Sequence, residues 1–149
     1  MEPTRKNHSV YMLTYHIVFV VKYRRKAISY EIEDFLKQHS EYLIYNMGGE
    51  MISAETDRDH IHILASLPPT LAPGNAVKVL KTQLSKEVHK QYGDEIKKYL
   101  WKEKSPFWTE SYFIQTAGTN AMENVKKYIE SQRTEEHKRK YVKSGKYKK

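Results

Sequence analysis

Between Tyr11 and Tyr23 the chain alternates. Leu13, Tyr15, Ile17, Phe19 and Val21 fall on one face, and Thr14, His16 and Lys22 on the other. Period-two alternation rich in β-branched and aromatic residues predicts a strand, and Val18 and Val20 on the second face predict that it is central. Ser29 has the character of an N-cap. Glu31, Glu33 and Asp34 follow where negative charge meets the positive end of a helix. Ile32, Phe35, Leu36, Leu43 and Met47 form the apolar stripe of that helix, which Gly48-Gly49 ends.

Glu50–Glu55 and His60–Leu67 read as two strands joined through the tight polar connection Thr56-Asp-Arg-Asp59, with Pro68-Pro69 as the stop. A second helix is predicted from Asn75 to Tyr92, with Val77, Leu80, Leu84 and Val88 on one face and Gly93 at its end. Asp94–Lys104 is a charged stretch with room for one or two helical turns. Tyr112–Thr116 is a fourth strand. Asn120, with Glu123 three residues on, has capping-box spacing for a last helix running from Ala121 to at least Arg133. The order β-α-β-β-α-β-α predicts an α+β, ferredoxin-like (RRM-like) antiparallel sheet followed by a C-terminal helix. That arrangement hosts many functions and selects none.

Composition narrows the class. The chain has 149 residues, a formal charge of +8 and no cysteine. Zinc fingers, disulfide frameworks and thiol nucleophiles are therefore out. The longest apolar run, Ile17–Val21, is far short of the ~20 residues of a membrane span. With no apolar leader behind Met1, a cytoplasmic protein is the expectation. From Arg133 onward eight basic residues face two acidic ones, which leaves the rest at only +2. We read residues 1–133 as one domain and 134–149 as a basic, flexible tail, suited equally to phosphates and to solubility. Inside the body, Lys22-Tyr-Arg-Arg-Lys26 is the dense basic cluster. Its aromatic suits a surface where phosphates are paired and bases stack.

Two patterns carry chemistry. His60 and His62 lie on one face of a strand, Ile61 and Ile63 on the other, and two such imidazoles can converge on one cation. A hydrogen-bonded structural pair is the plain alternative, because a chance H-x-H turns up in roughly a third of shuffles. On the last helix, Tyr128 and Gln132 are one turn apart, beside a docking stripe of Val125 and Ile129. Gln132 offers a carbonyl oxygen to a metal and Tyr128 a phenolic nucleophile; the plain alternative is a solvent-facing pair. His16 has the character of an ordinary sheet histidine, with a supporting or DNA contact as the other reading. Trp108 and Tyr112 read as core or dimer contacts.

Four stretches together resemble the single-tyrosine HUH transposases of small bacterial and archaeal insertion sequences, REP-associated relatives included. They are Tyr15-His-Ile-Val-Phe-Val-Val-Lys-Tyr-Arg-Arg-Lys26, Asp59-His-Ile-His-Ile-Leu64, Trp108-Thr-Glu-Ser-Tyr-Phe-Ile114 and Tyr128-Ile-Glu-Ser-Gln132. They stand in family order across about residues 10–133. The resemblance implies that His60, His62 and Gln132 hold Mg²⁺ or Mn²⁺ and that Tyr128 attacks DNA to leave a 5′-phosphotyrosine. It implies a substrate of single-stranded DNA with hairpins at element ends. It also implies a homodimer, in which Ala117-Gly118-Thr119 is the joint that lets one subunit's tyrosine serve the other. Lys22, Tyr23, Arg24, Arg25 and Lys26 would bind the DNA. Where the family has Met-Pro before the aspartate, this chain has Asp57-Arg58.

Three other readings compete. A domesticated, non-transposing relative would bind nucleic acid without cutting, yet Tyr128, Gln132 and both histidines are all present. An RRM-type RNA binder wants exposed aromatics where the third strand has His60 and His62. A small-molecule metallohydrolase would account for the histidines and leave the basic cluster unexplained.

Overall fold

The computed structural model describes residues 2–100 and 106–143, with side chains as far as Gln132. Its elements are β1 (Thr4–Lys6), β2 (Ser9–Tyr11), β3 (Thr14–Val20), α1 (Tyr30–Asn46), β4 (Glu50–Asp57), β5 (His60–Ser66), α2 (Pro73–Ile96), β6 (Phe113–Thr116) and α3 (Ala121–Lys143). The main sheet has the order β4-β5-β3-β6, every neighbour antiparallel. This is the ferredoxin-like topology, with β3 central as its two apolar faces require. β1 and β2 form a separate ribbon. The sequence pattern has no counterpart for it, because the strands are three residues long and mostly exposed.

The helices form where capping and stripe predict. The Ser29 hydroxyl accepts from Ile32 N–H at 3.3 Å, and Gly48 leaves α1 with φ 87. Gly49 has a different reason to be glycine: a Cβ there would come within 2.5 Å of the Ser66 carbonyl oxygen. α1 and α2 cover one face of the sheet. Ile32, Leu36 and Ile44 from α1 and Val77, Leu80, Leu84 and Val88 from α2 meet Ile17, Phe19, Ile61 and Ile63 in a core with essentially no exposure. α3 covers part of the opposite face, burying Val125 against Val18 and Val20, with Phe113, Tyr128 and Ile129 around them.

Several boundaries differ from expectation. β3 stops at Val20 because Tyr23 and Arg24 take φ 59 and 52, left-handed values that cannot continue a pleat. α2 runs to Ile96, with a kink at Tyr92 (φ −126) where the helix was expected to end. Asn120 takes φ 68 instead of the extended backbone of a capping box. The backbone of α3 continues to Lys143, beyond Arg133, the least extent expected of that helix. The stretch beyond Arg133 carries helix formers and meets no glycine or proline before Gly145. Residues 144–149 of the tail, and the end of the charged stretch at 101–105, lie outside the described residues.

Candidate active site

The pleat decides which side chains share the face under α3. In register, Val20 pairs with His60 and Val18 with His62, so both histidines project on the side away from the α1–α2 core. Val18 and Val20 are also the residues that Val125 of α3 covers. The tyrosine helix therefore lies on the strand next to the histidine strand, one interstrand spacing of about 5 Å away.

Each histidine has a partner. His60 Nδ1 lies 2.7 Å from Asp59 Oδ1, and Arg24 Nε donates to Asp59 Oδ2 at 3.1 Å. Burial would raise the Asp59 carboxyl, but the His60 hydrogen bond and the Arg24 charge outweigh it and hold it below the ordinary carboxylate range. A carboxylate on Nδ1 fixes the ring and leaves Nε2 for a ligand. Asp57, Asp59 and His60 have ligand atoms within 4.8 Å of one another. Because both Asp59 oxygens are already engaged, its carboxylate suits the role of orienter better than that of ligand.

His62 Nε2 lies 2.7 Å from His16 Nδ1, the rings stacked at 5.0 Å. Burial lowers both pKa values, and the neighbouring His16 pushes His62 further down. Neutral imidazoles are the form that ligates metals. His16 is thus no bystander in the sheet. The signal for it was available in the sequence, since His16 shares the α3 face with Val18 and Val20.

Tyr128 and Gln132 meet on the inner side of α3. The segment around Phe107–Thr109 pairs with the end of β3, Thr109 N–H donating to the Val20 carbonyl at 2.8 Å and Trp108 bridging Val21. That pairing brings Thr109 and Ser111 to α3. Ser111 Oγ is 2.7 Å from the Tyr128 hydroxyl and 2.8 Å from Gln132 Oε1, and Thr109 Oγ1 is 3.1 Å from the same Oε1. Gln132 is buried at 7% exposure, so the solvent-facing alternative fails. The sequence reading passed over Thr109 and Ser111, which sit inside a quoted motif but carry no spacing signature.

The basic cluster divides. Arg24 is committed to Asp59, whereas Arg25 and Lys26 are exposed and Lys22 lies 5.8 Å from the Tyr23 ring centre. The departure at Asp57-Arg58 keeps the hairpin: Asp57 still pairs with His60, Arg58 N–H donates to Asp57 Oδ1 at 2.8 Å, and the Arg58 guanidinium reaches Glu33 of α1 at 2.9 Å. Trp108 is core at 2% exposure, while Tyr112 is exposed at 42%. Among the described residues no helix is long and apolar enough to cross a membrane.

Imidazole nitrogens and a carboxamide oxygen are donor types that a divalent cation such as Mn²⁺ accepts, so the chemistry of His60, His62 and Gln132 fits such an ion.

Residues 9–132 match the family described as IS200-like transposases. The chain is 35% identical over 127 residues to the ISDra2 transposase TnpA of Deinococcus radiodurans, covering 85% of this chain and 89% of the relative. It is 32% identical over 129 residues to the IS200 transposase of Salmonella typhimurium, covering 87% and 82%. A crystal structure assigned as a transposase of D. radiodurans superposes with a TM-score of 0.78 at 25% identity, over 87% of this chain and 97% of that one. A REP-associated tyrosine transposase bound to a REP hairpin shares the fold, with a TM-score of 0.51 at 14% identity, over 97% and 76%. With the family match spanning nearly the whole body, the chain belongs to the IS200-like, single-tyrosine HUH transposases.

Proposed function

We propose that this transposase cuts and rejoins single-stranded DNA through a covalent bond to Tyr128. The observation that carries the reading is the shared face: Tyr128 and Gln132 sit inward on the helix that covers the strand partnering His60 and His62. In the proposed chemistry the Tyr128 oxygen attacks the scissile phosphorus. A Tyr128–O–P bond forms, the P–O3′ bond breaks, and the phenolic proton leaves to solvent while O3′ takes one up. A 3′-OH from another strand end then attacks the same phosphorus and releases the tyrosine. One phosphoester replaces another, so no nucleotide is consumed.

His60, His62 and Gln132 are the residues that would hold Mg²⁺ or Mn²⁺. Bound there, the cation supplies positive charge to the scissile phosphate. Asp59 and His16 orient the two imidazoles. Lys22, Arg25 and Lys26 pair phosphates and Tyr23 stacks on a base, in the manner of single-strand binding surfaces. Hairpins at the element ends are the proposed substrate, since a structural relative is held on one. The acting unit is a homodimer. Mixing Tyr128→Phe chains with His60→Ala chains regains cleavage where the tyrosine of one subunit serves the histidines of the other.

The test uses end-labelled single-stranded hairpin DNA with Mn²⁺ on a denaturing gel. The wild-type chain is expected to give a protein–DNA adduct that Tyr128→Phe abolishes while DNA binding stays within about twofold. Hairpin binding with no adduct from the wild-type chain would favour the domesticated, binding-only reading.

A further inference from the structure

Two hydroxyls beside the site have no part in the chemistry above. A carboxamide oxygen only accepts hydrogen bonds, and a serine hydroxyl has one proton to give. Ser111 gives its proton to Gln132 Oε1 at 2.8 Å, so across the 2.7 Å contact the Tyr128 phenol donates to Ser111 Oγ. Thr109 Oγ1 lies 3.1 Å from the same Oε1 and 3.3 Å from the Ser111 carbonyl oxygen, so its one proton is shared between them. The two hydroxyls thus occupy both approaches to the Gln132 carbonyl. Thr109 at 2% and Gln132 at 7% exposure keep water from replacing these bonds easily.

We propose that Thr109 and Ser111 form a latch that competes with a divalent cation for the Gln132 carbonyl and ties the Tyr128 hydroxyl to the same point. The inference rests on the reading of Gln132 as a ligand and Tyr128 as the nucleophile. For Gln132 to serve a cation, its oxygen must leave at least one of the two hydroxyls. Leaving Ser111 also removes the acceptor of the serine proton, which then turns to the phenol oxygen. Ser111 is therefore a positioning residue that makes the availability of Gln132 and the setting of Tyr128 one event.

Mn²⁺ titration of the full-length chain without DNA, followed by the EPR signal of free Mn²⁺, tests the latch apart from activity. Ser111→Ala is expected to tighten Mn²⁺ about fivefold, the worth of one net hydrogen bond. Thr109→Val is expected to act in the same direction, and Ser111→Thr to restore the wild-type affinity. Gln132→Ala is expected to weaken binding, and adding Ser111→Ala to it should change nothing further. Weakened binding in Gln132→Ala, with unchanged or weaker binding in both Ser111→Ala and Thr109→Val, overturns the latch and leaves the ligand reading standing. An unchanged affinity in Gln132→Ala overturns the ligand reading, and the latch with it.

Discussion

His16 Nδ1 and His62 Nε2 lie 2.7 Å apart across adjacent strands, so one proton serves two buried imidazoles. Neither ring accepts a second proton cheaply: burial lowers both pKa values from 6.5, and each added charge would face the other ring. In the unfolded chain both protonate near 6.5. The unfolded state thus binds more protons than the folded one below that pH, and stability falls as the medium is acidified. In chelator, the melting temperature of the wild-type chain is expected to drop between pH 7 and pH 5 more steeply than that of His16→Gln. Parallel curves would show that the pair does not titrate as described.

The Arg24–Asp59–His60 chain separates two roles inside one basic cluster. Arg24→Ala and Asp59→Ala remove support from His60 and are expected to cost 10–100-fold in Mn²⁺ affinity. Arg24→Lys is no conservative change, because lysine lacks the Nε–H that reaches the carboxylate. Calorimetric titration with Mn²⁺ checks all three.

Arg25 and Lys26, exposed and outside that chain, are expected to act on DNA alone. Neutralising each should reduce the slope of log affinity against log salt by about 0.7, the single-strand value per phosphate contact. Mn²⁺ affinity should not move. Fluorescence anisotropy of a labelled single strand at several salt concentrations measures this.

Val125 anchors the tyrosine helix. At 2% exposure against Val18 and Val20, its truncation to alanine is expected to cost about 2 kcal/mol of stability and to slow adduct formation. Val79→Ala, on the exposed side of α2, should cost under about 0.5 kcal/mol. Urea denaturation of the two variants makes the comparison.

Much of this was legible in the sequence, and for physical reasons. Period-two alternation placed His60 and His62 opposite Ile61 and Ile63, and the helical stripe of Val125 and Ile129 placed Tyr128 and Gln132 near an inward face. What escaped has no local period. The His16–His62 contact joins residues 46 apart in sequence, through a register that only strand pairing sets. Ser111 and Thr109 reach α3 because residues 107–109 pair with the end of β3, which no spacing announces. Charge made Arg24 visible in the sequence, whereas its ion pair with Asp59, 35 residues away, was not legible there.

Which oxygen takes the phosphorus decides whether Tyr128 is the nucleophile. After reaction with hairpin DNA and nuclease trimming, tryptic digestion releases Tyr128-Ile-Glu-Ser-Gln-Arg133. Mass spectrometry should find the nucleotide on this peptide, at Tyr128 and at no other tyrosine. Nucleotide on a different peptide, or cleaved DNA with no modified peptide at all, would contradict it.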